Sequence, residues 1–190
     1  MNWFSKIFKK KNKVAIVRLE GTIAPSMTFG AGLNDVSVSK TIEKAFSLRK
    51  LSAVVLIINS PGGSPAQSSL IAARIKRLAK KNKTHVLAFC EDVAASGGYW
   101  LACAADEIFA DENTIIGSIG VISSGFGFHE LIERQGIERR VYTSGEDKSI
   151  LDPFRPQKQA DIKKLKKLQG QIHENFISHV KISRAEKIKS

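Results

Sequence analysis

Ser96 is the residue whose setting best suits chemistry. It lies in Val93-Ala94-Ala95-Ser96-Gly97-Gly98-Tyr99, with two alanines before it and two glycines after it. The apolar run Thr84–Cys90 precedes this stretch, and a helix-like run, Tyr99–Ala105, follows it. A serine on a strand-to-helix turn, free of bulky neighbours, can offer its hydroxyl to a carbonyl carbon. The first N–H groups of a helix have no partner within it and can point at the same place. A Gly-rich turn with a serine N-cap has the same pattern, so other stretches must decide between the two.

A second stretch is Asn59-Ser60-Pro61-Gly62-Gly63-Ser64-Pro65, directly after the apolar run Ala53–Asn59. Ser64 and Pro65 suit the N-cap and N1 positions of a helix over Pro65–Lys80. Gly62 and Gly63 carry no side chain, so their N–H groups can come close to a ligand. That would make half of an oxyanion hole, and an ordinary strand–helix turn has the same pattern. A third stretch is Asn113–Ser123, apolar but interrupted by Gly117 and Gly120. Glycine inside a strand pattern marks a bulge or a close backbone approach. A peptide strand lying along Gly117, Ser118, Ile119 and Gly120 is one use for it.

Serine needs a base to take its proton. The chain has four histidines. His85 lies in a strand-like run, and His173 and His179 lie on a C-terminal helix. His129 follows a Gly-rich turn and is the one histidine kept as a candidate. Lysine is the other option. A free lysine is protonated at neutral pH, so a basic one must be desolvated or set beside another cation. Lys148 follows a strand-like stretch and lies outside the lysine-rich helix, which makes it the best lysine candidate.

The elements that must position these residues alternate. Val14–Glu20, Ala53–Asn59, Thr84–Cys90 and Glu107–Ala110 read as strands, and so does Glu138–Thr143. Ala53–Asn59 is apolar without alternation, which suits a strand covered on both faces. Helices are expected from a Ser39 cap to about Lys50, over Pro65–Lys80, over Phe128–Gln135 and from Gln157 to about Ser183. The last is amphipathic, with Ile162, Leu165, Leu168, Ile172, Phe176 and Val180 recurring every three or four residues. Alternating strands and helices predict an α/β fold around a largely parallel sheet.

The 190 residues suffice for one domain with a core, over 14–190, after a basic and aromatic segment over 1–13. The net charge of +12 raises nucleic acid or an anionic membrane as partners. The excess gathers at the two ends, in Lys6–Lys13 and Lys163–Lys189, which argues against a basic nucleic-acid groove across the fold. Aromatic and basic residues do not interleave as single-strand binding requires. Residues 1–13 mix Trp3, Phe4, Ile7 and Phe8 with lysines, a pattern suited to a membrane surface. No apolar run is long enough to span a bilayer, and the order of residues is wrong for a secretory signal. The expected location is the cytoplasm; for residues 1–13, peripheral contact at the inner membrane face and a solvated terminus both fit. Cys90 and Cys103 lie in apolar runs and read as reduced core thiols. No residues have zinc-ligand spacing, so no metal and no cofactor is expected.

Taken together, Asn59-Ser60-Pro61-Gly62-Gly63, Ala94-Ala95-Ser96-Gly97-Gly98-Tyr99, Gly117-Ser118-Ile119-Gly120-Val121 and Ser144-Gly145-x-x-Lys148 resemble the ordered motifs of the signal peptide peptidase A family. The resemblance runs from about Val14 to Ser183. These are protease IV-like serine–lysine peptidases, related in fold to the Clp protease proteolytic subunit and the crotonases. The resemblance implies repeated β-β-α or β-α units, with Ser96 as nucleophile and Lys148 as general base. It implies oxyanion donors from Gly63 or Gly62 and from Gly97. It also implies peptide substrates, such as signal peptide remnants or unfolded segments, and assembly into homo-oligomers. Family members usually continue with a Gly-rich strand and a further helix. The chain ends at Ser190 without them, so a C-terminally shortened member is expected. Two other functions fit the same motifs: a crotonase-like enzyme acting on acyl-CoA, or an inactive scaffold.

Overall fold

The computed structural model describes residues 13–25, 32–145 and 148–187. The basic aromatic segment thus lies outside the described residues, apart from Lys13. The chain divides into two compact units, Met1–Ile119 with Phe176–Ser190, and Gly120–Asn175.

The first unit is an α/β layer. Strands β1 (Lys13–Glu20), β2 (Leu51–Ser60), β3 (His85–Ala95) and β4 (Glu107–Ala110) form a sheet in the order β1-β2-β3-β4. A short strand, β5 (Ile115–Gly117), also pairs with β3, beyond the end of β4. Every pairing is parallel. The helices α1 (Asp35–Phe46), α2 (Pro65–Asn82) and α3 (Gly97–Ala102) follow β1, β2 and β3 in turn. Such crossovers are what parallel neighbours require.

One face of the sheet carries the core. Val17, Leu19, Val54, Leu56, Ile58, Val86 and Ala88 are buried in one cluster with Ile42, Ile71, Ile75 and Leu101. The alternate residues behave differently. Val14 and Ile16 are exposed, as are Phe89 and Phe109, whose rings stack at 4.7 Å. Val55 and Ile57 are half-buried. The continuous apolar run of β2 therefore marks a strand, but within this unit only one of its faces is fully covered. Apolar content alone does not report which faces have neighbours.

Helix α1 starts earlier than its expected Ser39 cap. Asn34 is the N-cap: its Oδ1 accepts from the Ser37 N–H at 2.9 Å, and its own N–H donates to Ser37 Oγ at 3.1 Å. This reciprocal pair satisfies two otherwise unpartnered groups at the helix start. Ser39 lies inside the helix, where its hydroxyl donates to the Val36 carbonyl. Helix α2 starts as expected, with Ser64 at the N-cap and Pro65 at N1.

In the second unit, α4 (His129–Arg134) matches the expected helix. Glu138–Thr143 was expected to be a strand and is irregular. Its apolar content is low, and side-chain contacts hold it instead. Arg139 pairs with Asp152 at 3.0 Å and lies 4.8 Å from the centre of the Phe154 ring. Only Ile115–Gly117 of the run Asn113–Ser123 forms a strand.

Helix α5 (Gln159–Arg184) forms where the amphipathic pattern predicts a helix, although Leu168 of that pattern is 55% exposed. In the first unit its residues Phe176, Val180 and Arg184 are buried, and Phe176 lies 4.8 Å from Trp100, ring to ring.

Candidate active site

Strand β3 ends at Ala95, and the next residue turns sharply. Ser96 has φ 51 and ψ −118, outside the regions that side-chain-bearing residues normally occupy. Such a conformation costs on the order of 1–3 kcal/mol and persists only where its surroundings enforce it. Here they do so through small, buried neighbours: Ala94, Ala95, Gly97 and Gly98. The Ser96 N–H donates to the Gly117 carbonyl at 2.7 Å, and the Ser96 carbonyl accepts from the Trp100 N–H at 3.0 Å. The hydroxyl does not cap α3. The serine occupies the N-cap position without doing the work of a cap, so its hydroxyl is left for another task.

The Gly62–Gly63 turn packs directly against Ser96. A Cβ added to Gly62 would stand 2.6 Å from the Gly97 nitrogen and 2.8 Å from the Ser96 Cβ. No side chain fits there. Ile23 holds the turn from the other side. Its N–H donates to the Gly62 carbonyl at 2.8 Å, and its carbonyl accepts from the Ser64 N–H at 2.7 Å. Sequence reasoning left Gly62 and Gly63 as equal candidates for the oxyanion donor. The Gly62 N–H reaches Ser60 Oγ at 3.2 Å, and that hydroxyl donates to the Gly21 carbonyl at 2.7 Å. Among the described residues the Gly63 N–H has no such acceptor, and the Gly97 N–H opens α3.

Ser60, Ser68 and Ile23 escaped sequence reasoning. Ser60 and Ser68 are fully buried, and any Cβ at Gly97 would collide with Ser68 Oγ. A hydroxyl buried among backbone groups is a weak sequence signal, although Ser60 lies inside the Asn59–Gly63 stretch. Asn59 adds support, donating to Asp92 at 2.7 Å while its Oδ1 accepts from the Val93 N–H at 3.2 Å.

The first unit thus brings together Ser96, Gly62, Gly63, Gly97 and Gly117. Gly117 and Ser118 both have positive φ, 101 and 54, and a Cβ on Gly117 would meet nothing within 4 Å. Ile119 is 38% exposed. Among the described strands, β5 pairs with β3 alone. Gly120, His129 and Lys148 belong to the second unit. Lys148 starts an exposed turn there, and His129 Nε2 lies 3.8 Å from Glu130.

Other candidate groups in the first unit are engaged elsewhere. His85 sits at the far end of β3, about 36 Å along the strand from Ser96 at 3.3 Å per residue. There it contacts Asp106 at 2.9 Å. His179 stacks on Trp100 at 4.6 Å, and its Nε2–H donates to the Trp100 carbonyl at 3.1 Å. Burial pushes its pKa down to about 4. Burial also raises Cys103 and takes the Cys90 thiol up to about 11. Neither cysteine competes as a nucleophile at neutral pH.

The model of peptidase family S49 matches residues 78–190, more than half of the chain. This chain belongs to peptidase family S49. The S49 match includes Ser96, Gly117 and Lys148. Over 182 residues, 94% of this S49 chain, it is 50% identical to a Brucella melitensis protein named Na(+)/H(+) antiporter NhaA, covering 24% of that protein. Over 126 residues it is 37% identical to Protease 4 of Haemophilus influenzae, covering 66% of this chain and 20% of that one. Over 175 residues it is 32% identical to the probable protease SohB of Buchnera aphidicola, covering 90% of this chain and 51% of that one. The chain therefore spans about a quarter of the Brucella relative and about half of SohB. Among the described residues no helix is long and apolar enough to cross a membrane.

Proposed function

We propose that this S49 chain is a serine endopeptidase in which Ser96 attacks the peptide carbonyl and Lys148 is the general base. The strained Ser96 turn, packed on a glycine turn whose Gly63 N–H has no acceptor among the described residues, carries this reading. Neutral Lys148 Nζ takes the Ser96 proton as Oγ bonds to the carbonyl carbon. The Gly63 and Gly97 amides receive the oxyanion, and each such donor is worth roughly 3–4 kcal/mol. The C–N bond then breaks and the lysine ammonium returns its proton to the leaving amine. Water, deprotonated by the same lysine, releases the acyl group from Ser96. The peptide lies extended along Gly117, Ser118, Ile119 and Gly120, pairing through its main chain as an added strand does.

Lys148 is exposed in the single chain, and an ammonium in water cannot serve as a base at neutral pH. Its shelter comes from a homo-oligomeric assembly and from the bound peptide. Both exclude water from the amine. The substrates are signal peptide remnants or small unfolded segments, which can adopt the extended form that the strand edge accepts. The basic aromatic segment at residues 1–13 would hold the assembly at an anionic membrane surface.

Peptide hydrolysis by the purified chain, by Ser96→Ala and by Lys148→Ala tests the proposal. Both variants should lose activity while keeping their melting temperature. Parent-like hydrolysis by Ser96→Ala would remove Ser96 from the mechanism. Activity kept in Lys148→Ala and lost in His129→Ala would move the base to His129.

A further inference from the structure

The geometry points to a second binding site in the first unit, a basic cavity that takes a small ligand bearing two or more negative charges, of the phosphate-ester or diphosphate type. The cavity has a volume of about 780 Å³ and lies between the C-terminal ends of α2 and α5 and the Cys103–Asp106 segment after α3. Ser96 opens the other end of α3, so the cavity is separate from the serine turn.

Arg184 is the built part of the site. It is 8% exposed, and its Nη2 donates to the Ala105 carbonyl and, at 3.5 Å, to the Asp106 carbonyl. Its Nε is buried and has no partner among the described residues. Among the described residues no carboxylate forms an ion pair with it. A guanidinium largely out of water and bonded to carbonyls has no counter-charge beside it. Lys76 lines the same cavity, half-buried. Burial, aided by repulsion from Arg184, lowers its pKa. Two cations are therefore held together under partial desolvation, where the charge of one anion in the cavity would offset both; the Nε itself is sealed from the cavity and makes no bond to the ligand.

The charge count favours a multivalent ligand. Lys80, Lys83 and Lys187 add to Lys76 and Arg184 around the cavity. Asp106 and Glu186 oppose them, and Asp106 is already engaged by His85 at 2.9 Å. The two helix ends each contribute about half a negative charge. These terms leave about two positive charges uncompensated. A monovalent carboxylate would not balance them, and a diphosphate would. The volume exceeds what inorganic phosphate fills and leaves room for a nucleoside or similar group beside the phosphates.

Isothermal titration of the full chain with pyrophosphate, ADP and adenosine tests this inference. Pyrophosphate and ADP should both bind, and both should weaken as salt rises. Tighter binding of ADP would identify a phosphate ester as the better ligand, and equal binding would identify the diphosphate alone. The exposed charge reversal Lys80→Glu with Lys187→Glu should weaken both at least about tenfold. Arg184→Gln should do the same, provided its melting curve remains cooperative, and the surface variant stands in for it otherwise. Absence of binding by pyrophosphate and ADP at millimolar concentration overturns the site. So does adenosine binding as tightly as ADP, or affinity unchanged in the Lys80→Glu, Lys187→Glu variant.

Discussion

The Ser96 N–H and the Gly117 carbonyl are joined by a 2.7 Å hydrogen bond. It ties the strained serine turn to the last residue of β5, which has φ 101. Ser96 is thus held from the strand at its side as well as from its own chain. Since a Cβ at Gly117 would meet nothing within 4 Å, Gly117→Ala adds backbone strain alone, about 1 kcal/mol. The variant should fold, melt a few degrees lower and lose about tenfold or more in kcat/KM, because a shifted carbonyl misplaces the hydroxyl. Parent-like kinetics at the lower melting temperature would show that this bond does not position Ser96.

Gly62→Ala should act differently. Its Cβ would stand 2.7 Å from the Ala95 carbonyl as well as against Ser96 and Gly97, so backbone must move. We expect hydrolysis to fall by two orders of magnitude or more, as when an oxyanion donor is lost. Gly170→Ala on α5 is the control. Nothing lies within 4 Å of the added atom, and helix propensity should raise stability by about 1 kcal/mol. Thermal melts and peptide turnover on the two variants read both effects. Equal loss in both would mean that close packing at Gly62 is not what matters.

How much could be read beforehand follows from the range of each signal. Ser64 and Pro65 announced α2 because capping is local chemistry. The spacing Leu165, Leu168, Ile172, Phe176 announced α5 for the same reason. The cap at Asn34 is a weak sequence signal, since its reciprocal partner is Ser37 rather than the usual glutamate or glutamine. Glu138–Thr143 failed as a strand because pairing depends on a neighbour that no local run reveals. The Ala-Ala-Ser-Gly-Gly stretch gave away the serine turn, since only small residues tolerate that approach. Its positive φ, its bond to Gly117 and the hydroxyl of Ser60 under Gly62 are long-range facts. The role of Lys148 rests on the motif resemblance and on the chemistry of serine–lysine pairs.

His179 should make stability depend on pH. Its pKa is held at about 4, against 6.5 for a free imidazole, by burial first and by Lys76 and Arg184 second; the Trp100 carbonyl opposes them. Below pH 6.5 the unfolded chain takes up a proton that the folded chain refuses. Stability therefore falls as pH drops from about 6.5 to about 4, by at most roughly 3 kcal/mol, and this contribution levels off below. Urea denaturation of the parent and of His179→Gln at pH 7 and pH 4.5 checks it. The variant should show the smaller drop, and an equal drop in both would assign the effect to other groups.

Arg74 clamps Asp35 at the start of α1 through two bonds, Nε to Oδ1 at 2.7 Å and Nη2 to Oδ2 at 2.6 Å. Both side chains are less than one-fifth exposed. The Asp35 carboxyl is held below its ordinary range by the Arg74 hydrogen bonds. Its contribution is present above about pH 4 and is lost as pH falls through the lowered folded pKa. Arg74→Met should cost about 1–3 kcal/mol at pH 7 and less at pH 2. A cost that stays constant over that range would rule out the ion pair as its source.

The central claim, that Lys148 activates Ser96 for attack, is tested most directly by fluorophosphonate labelling of the assembled protein, followed by peptide mass mapping. The account predicts one modified residue, Ser96, in the parent, with labelling slowed at least about a hundredfold in Lys148→Ala. Label on another residue, or on Ser96 at the same rate in both proteins, would contradict it.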